Sequence, residues 1–183
     1  MLESAQQRSG VTRHPSGITA GRVKDSLATV ETDCAICAKH RGQGPLQGEL
    51  VARLDAFWVY HAPPGDDGLA PLGHLLLETD RHVPYLADLS ESEATALGRL
   101  RTWLAAALRE ALRAEFVFAA VIGIGVAHFH EHLLPRPRRQ PLEVEWHRSD
   151  ELLERAGTAA VRTFADLIAG RLTADMRLET HDA

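Results

Sequence analysis

Three histidines at alternate positions, His128, His130 and His132, follow directly on the most apolar stretch of the chain, and they constrain it more than any other feature. Side chains of a β-strand point alternately to opposite faces, so a strand through this segment puts the three imidazoles on one face, roughly 7 Å apart. A single histidine in a strand is ordinarily a hydrogen-bonded or solvent-facing residue. Strict alternation of three, followed by Leu133, Leu134 and a proline, Pro135, expected to stop the ladder, reads instead as a reactive centre. Neutral imidazole serves near pH 7 as nucleophile, acid, base or metal ligand.

Such a strand needs a sheet to join and a layer to cover it. Residues 49–54 and 57–60 read as two strands joined tightly at Asp55-Ala56, a hairpin bounded by turn formers. After a Pro/Gly/Asp loop at 63–68, residues 73–78 return as an almost continuous apolar strand, expected at the centre of the sheet. A helix should start at Ser90, where Ser90 and Glu93 form a capping box with Leu89 just outside it. Leu97, Leu100, Leu104, Leu108 and Ala111 then recur at helical spacing, a stripe that should lie on the sheet. Residues 116–122 are apolar on both faces, as in a covered strand, and Gly123-Ile124-Gly125 breaks the run before the histidines. A second helix is expected from an N-cap at Ser149 to Gly170, packed as a C-terminal appendage. The fold class is α+β.

At 183 residues the chain suits one domain. Residues 1–28, rich in Ser, Gly, Arg, Gln and Thr, are expected to be a flexible arm, 29–145 the sheet domain, and 146–183 a helical extension. The net charge of −5 lacks the basic stripe that generic nucleic-acid binding requires, although the run Arg136-Pro137-Arg138-Arg139 could draw an anionic substrate. No apolar run of signal-peptide type opens the sequence, and residues 116–127 are too few to span a bilayer, so a cytoplasmic protein with no membrane partner is expected. Its two cysteines, Cys34 and Cys37, then suggest a metal site or a redox pair rather than a disulfide. They open a segment, 34–48, whose Gly42, Gly44, Pro45 and Gly48 argue for turns instead of a helix. Glu131 alternates away from the histidine face; a solvated edge position is expected, with pairing to an arginine or burial at an oligomer interface as alternatives.

Taken together, the motifs resemble a known family. His128-Phe129-His130-Glu131-His132-Leu133-Leu134 resembles the His-φ-His-φ-His-φ-φ signature of the histidine-triad (HIT) superfamily. Gly73-His74-Leu75-Leu76-Leu77, followed by His82, is similar to its Gly-His-x-Leu-Val-x-x-x-x-His segment, and Cys34-x-x-Cys37 to the N-terminal knuckle of its zinc-containing branch. The likeness covers roughly residues 32–140. It implies an antiparallel sheet of about five strands with a long helix packed on it, plus here a C-terminal helix, and a homodimer formed through the sheet edge and helix. It further implies a hydrolase that cleaves a nucleotide-type phosphoanhydride or phosphoramidate, the small-molecule partner, through a phosphoryl-histidine intermediate on His130. His132 and His74 would contact the phosphoryl oxygens, and the amides of Gly125 and Val126 would be further ligand-binding donors. The implied cofactor is a structural zinc ion on Cys34, Cys37, His82 and His128.

The alternatives are a nucleotidyltransferase of the same superfamily, ranked lower because that branch carries Gln at the place of His132, and a zinc-stabilised nucleotide- or phosphate-binding module with little catalysis. A third is a catalytic metal held by the three imidazoles themselves. The chain departs from the family at several places. Ile124 and Gly125 stand where hydrolases carry Gln and Ser or Thr, His61 or Ala62 where an Asp grips the ribose, Thr79 where a proline precedes the second zinc histidine, and Glu131 at a usually hydrophobic place.

Overall fold

The structure, a computed structural model, describes residues 34–141 and 143–179, with residues 174–179 described by backbone alone. The arm expected over residues 1–28 lies outside these. The described chain opens with a short helix, α1 (Ala35–His40), where turns were expected. Its N-cap residue is Cys34, and the turn-forming glycines act only after its end, at Gly42 and Gly44, which have φ of 72° and 81°. Strands β1 (Leu50–Leu54) and β2 (Phe57–His61) form the expected hairpin, with Asp55 at φ 52° in its two-residue turn.

A two-residue strand, β3 (Ala70–Pro71), precedes β4 (Leu75–Thr79), all five residues of which are buried. Gly73 makes the bend between them. Its φ is +95°, and a Cβ there would lie 2.3 Å from the Leu112 side chain, so only glycine fits. Helix α2 (Glu91–Leu112) starts as the sequence dictates: Ser90 Oγ accepts from the Glu93 N–H, and the Glu93 carboxylate accepts from the Ser90 N–H. Strands β5 (Ala114–Ala120) and β6 (His130–Pro137) follow, then a 3₁₀ segment (Trp146–Leu152), β7 (Arg155–Ala156) and α3 (Thr158–Glu179).

The five longer strands form one antiparallel sheet in the order β1-β2-β4-β6-β5, which puts β4 at the centre, and β3 pairs with β7 apart from it. Alternation gives the sheet two distinct faces. Phe57, Val59, Leu75, Leu77 and Leu133 point into the main core with Leu97, Leu100, Leu104 and Leu108 of α2. Phe164, Ala165, Ile168 and Leu172 of α3 join the same core, so this helix packs as an integral layer rather than an appendage. It also begins nine residues beyond the expected N-cap, because Ser149 is buried in the 3₁₀ segment with its hydroxyl donating to the Trp146 carbonyl.

β5 is an edge strand with Phe116 half exposed, not a covered one. Pro135 does not stop β6, which continues to Pro137: β4 reaches only to Leu133, so beyond that point β6 has a ladder partner on one side alone and tolerates a residue without an N–H. Among the described residues no helix is long and apolar enough to cross a membrane.

Candidate functional site

The face of the sheet opposite the core carries His130 and His132. Residues directly opposite in antiparallel strands share a face. The register therefore sets one row Arg53, Trp58, Glu78, His130 across β1, β2, β4 and β6, and a second row Tyr60, Leu76, His132, Ala120 across β2, β4, β6 and β5.

The three alternating histidines divide. β6 starts only at His130, and His128 lies in the turn before it, where its N–H donates to the Val126 carbonyl. His128 is fully buried; its Nε2–H donates to the Thr79 carbonyl at 2.8 Å, while Nδ1 faces the sulfurs of Cys34 at 3.5 Å and Cys37 at 3.4 Å. Cys37 also meets Nδ1 of His82 at 3.5 Å. One ligand atom from each of Cys34, Cys37, His82 and His128 lies within 4.8 Å of the others. A tetrahedral zinc ion, with bonds of about 2.3 Å to sulfur and 2.0–2.1 Å to nitrogen, sets its S and N ligands about 3.5 Å apart, so both the donor set and the spacing suit such an ion. The carbonyl contact at Nε2 fixes the tautomer that leaves Nδ1 free to ligate. With His128 turned into this cluster, the three imidazoles do not converge on one metal.

His130 donates from Nδ1 to the His128 carbonyl at 2.7 Å, which leaves the Nε2 lone pair directed away from the backbone. The rings of His130 and His132 are 5.3 Å apart. His132 Nδ1 and His74 Nε2 share a hydrogen bond of 2.9 Å, and Nδ1 of His74 lies 3.9 Å from the Asp150 carboxylate on the 3₁₀ segment. Burial, with the His132 and His61 rings, pushes the His74 pKa down to about 3. Burial and the neighbouring His130 push His132 down to about 4, against the charge of Glu78. Both rings are thus neutral at pH 7, each with one donor and one acceptor nitrogen.

Gly125 is exposed, and Val126 packs against the Cys34–Ile36–Cys37 cluster with its carbonyl engaged by His128. His61 points to the core face, donating from Nδ1 to the Ala62 carbonyl and accepting the Gly73 N–H at Nε2. Glu131 is not a solvated edge residue. It is buried on the core face in a two-point contact with Arg101 of α2, at 3.0 and 2.8 Å. The basic run begins at the far end of β6, six residues from His130 and so roughly 20 Å away. There Arg136 is buried against the carbonyls of Pro141 and Val144.

Sequence reasoning missed one cluster on the site face. Lys39 and His40, at the end of α1, both bond the Glu78 carboxylate, His40 at 2.9 Å. The His40 ring stacks on Trp58 at 4.8 Å, and the Lys39 ammonium sits 4.2 Å over the Tyr60 ring. Burial alone would raise the Glu78 carboxyl, yet the hydrogen bonds and charges from His40 and Lys39 outweigh it and hold the group ionised below its usual range. A carboxylate following three leucines in β4, in a strand expected at the centre of the sheet, was the available signal.

No protein-family model matches the chain, and no curated protein matches it. Among solved structures it is similar to a zinc-bound histidine-triad family protein from Mycobacterium smegmatis, at 19% identity and TM-score 0.57, covering 82% of this chain and 99% of that one. It is similar also to a HIT-like protein involved in cell-cycle regulation from Bartonella henselae, at 17% identity and TM-score 0.57, covering 76% of this chain and 96% of that one. A third is a hypothetical histidine-triad nucleotide-binding protein from Sulfolobus tokodaii, at 16% identity and TM-score 0.55, covering 80% of this chain and 92% of that one. The chain has the histidine-triad fold; His130 and His132 lie on one face of its sheet with His74 beside them, and Cys34 and Cys37 of α1 meet His82 and His128 next to it.

Proposed function

We propose that the protein is a histidine-triad hydrolase that cleaves a nucleotide-type phosphoanhydride or phosphoramidate through a covalent intermediate on His130. The observation that carries this reading is the hydrogen bond from His130 Nδ1 to the His128 carbonyl, because it holds the ring in the tautomer whose Nε2 lone pair is available. Nε2 attacks phosphorus, the bond from phosphorus to the leaving oxygen or nitrogen breaks with its electron pair, and the leaving group takes a proton from solvent. Water then attacks the phosphoryl-histidine, releasing the phosphate product and restoring the neutral ring.

His132, on the same face, donates to the phosphoryl oxygens where negative charge builds up. His74 acts through His132: their mutual hydrogen bond fixes which nitrogen of His132 faces the substrate. The amides of Gly125 and Val126 remain candidate donors in the flanking loop. Cys34, Cys37, His82 and His128 would hold zinc, a metal that the Mycobacterium smegmatis protein also binds, in a closed site that ties α1 to the start of β6 and supplies structural cross-linking. Two copies would associate through the open edge of β5, where Phe116 is 51% exposed, and the adjoining surface of α2. Sedimentation should then report a mass near twice that of the chain.

Incubation with dinucleoside polyphosphates and with a nucleoside phosphoramidate tests the reaction. The wild-type protein should release a nucleoside monophosphate from at least one of these, and His130→Ala should lose at least a hundredfold in kcat. Turnover by His130→Ala equal to that of wild type removes the proposed nucleophile.

A further inference from the structure

We propose that Lys39 is a positioning residue whose task is to neutralise and hold aside the Glu78 carboxylate, so that an anionic phosphoryl group can approach His130. The inference rests on the proposed function in taking the space before His130 and His132 as the phosphoryl site. It adds a residue pair that neither the three motifs nor the fold assigns.

Glu78 is the direct lateral neighbour of His130 in the sheet register, on the same face, so their Cβ atoms are about 5 Å apart. A bare carboxylate there would sit beside an incoming phosphate and repel it. At an effective dielectric constant of about 20, a unit charge roughly 7 Å away changes anion affinity by tenfold or more. The carboxylate does not stand bare. Lys39 and His40 bond its two oxygens, and both Lys39 and Glu78 are almost completely buried, at 4% and 1% exposure. The aromatic layer fixes the direction of this contact: His40 lies flat on Trp58, Trp58 is stacked with Tyr60 at 6.0 Å, and Lys39 caps the Tyr60 ring, so the carboxylate is drawn toward β2 and α1. His40 is also edge-on to the His128 ring at 5.6 Å.

The arrangement follows from where α1 starts. Cys34 caps α1 and Cys37 lies within it, and Lys39 and His40 come two and three residues later, in the same short helix. The cysteine cluster that positions His128 therefore also delivers the counter-charge to Glu78. A pairing made only for stability would not have to stand in the nucleophile's own row.

The test is calorimetric titration of the full-length, zinc-replete protein with inorganic pyrophosphate, taking as site binding the part abolished by His132→Ala. Lys39→Met should weaken this binding tenfold or more, Lys39→Arg should leave it within about threefold, and the double variant Lys39→Met/Glu78→Gln should restore it. Glu78→Gln alone should bind pyrophosphate as tightly as wild type or tighter. That variant breaks the ion pair, so a purely structural role predicts the opposite direction. It also keeps the test decisive if Lys39→Met does not fold. Unchanged affinity in Lys39→Met, or weakened affinity in Glu78→Gln, overturns the inference while leaving the proposed function intact. A wild-type protein without site binding of pyrophosphate overturns both.

Discussion

At the scale of single residues, each imidazole of the site face is assigned by what its second nitrogen does. His128 gives Nε2–H to Thr79 and turns Nδ1 to the cysteines; His130 gives Nδ1–H to the His128 carbonyl; His132 and His74 share one hydrogen bond. The same burial that orders His74 and His132 disfavours their protonation, with pKa values pushed down to about 3 and about 4 from an ordinary 6.5. Near pH 6.5 the unfolded chain takes up protons at these positions and the native protein does not. Their contribution to stability is therefore present in full above about pH 6.5 and lost as pH falls toward 4 and then 3. Thermal melting between pH 7 and 4 should show the melting temperature falling with acidification, and falling less steeply in His74→Gln, which cannot take a proton. An equal slope in the two proteins would place the acid sensitivity elsewhere.

At the scale of elements, α2 was legible because everything that specifies it is local. The apolar period runs along one face, and the cap and its reciprocal acceptor lie three residues apart. Ser90→Ala should cost about 1 kcal/mol, and Leu104→Ala, at a fully buried position, about 2–5 kcal/mol in urea denaturation. The elements that escaped are those decided by distant partners. α1 has six residues and no side-chain cap, and it is held by its cysteines and by Glu78, 39 positions on from Lys39. Residues 116–120 look the same whether both faces are covered or one edge lies open, since nothing local records that β5 is last in the sheet. The expected Ser149 cap failed because a helical reading of residues 149–156 ignored the pairing of β7 with β3. For Glu131 alternation gives the face correctly, and of the roles the sequence leaves open it takes the pairing with an arginine; that this is Arg101, thirty residues earlier, and that the pair is buried instead of solvated, depends on how α2 packs.

At the scale of the whole molecule, the cysteine cluster joins segments far apart in sequence, and the core is one body shared by the sheet, α2 and α3. If Cys34, Cys37, His82 and His128 hold zinc, the ion cross-links α1, the turn after β4 and the entry to β6, and binding energy becomes folding energy. The purified protein should then contain about one zinc ion per chain, and chelation or Cys34→Ser should lower the melting temperature by several degrees. An unchanged melting temperature after complete chelation would contradict this assignment. The site face lies between α1 on one side and the 3₁₀ segment that carries Asp150 on the other, with His130 and His132 on the strand between them.

If His130 is the nucleophile, it forms a bond to phosphorus during turnover. Rapid mixing of the protein with a nucleoside phosphoramidate, quenching in alkali where phosphoryl-histidine survives, and mass spectrometry of the peptides tests it directly. A nucleotidyl adduct is expected on the peptide containing His130, confined to that histidine and absent from His130→Ala. Turnover by the wild-type protein with no adduct at His130, or an adduct on His128 or His132 instead, would contradict this role of His130.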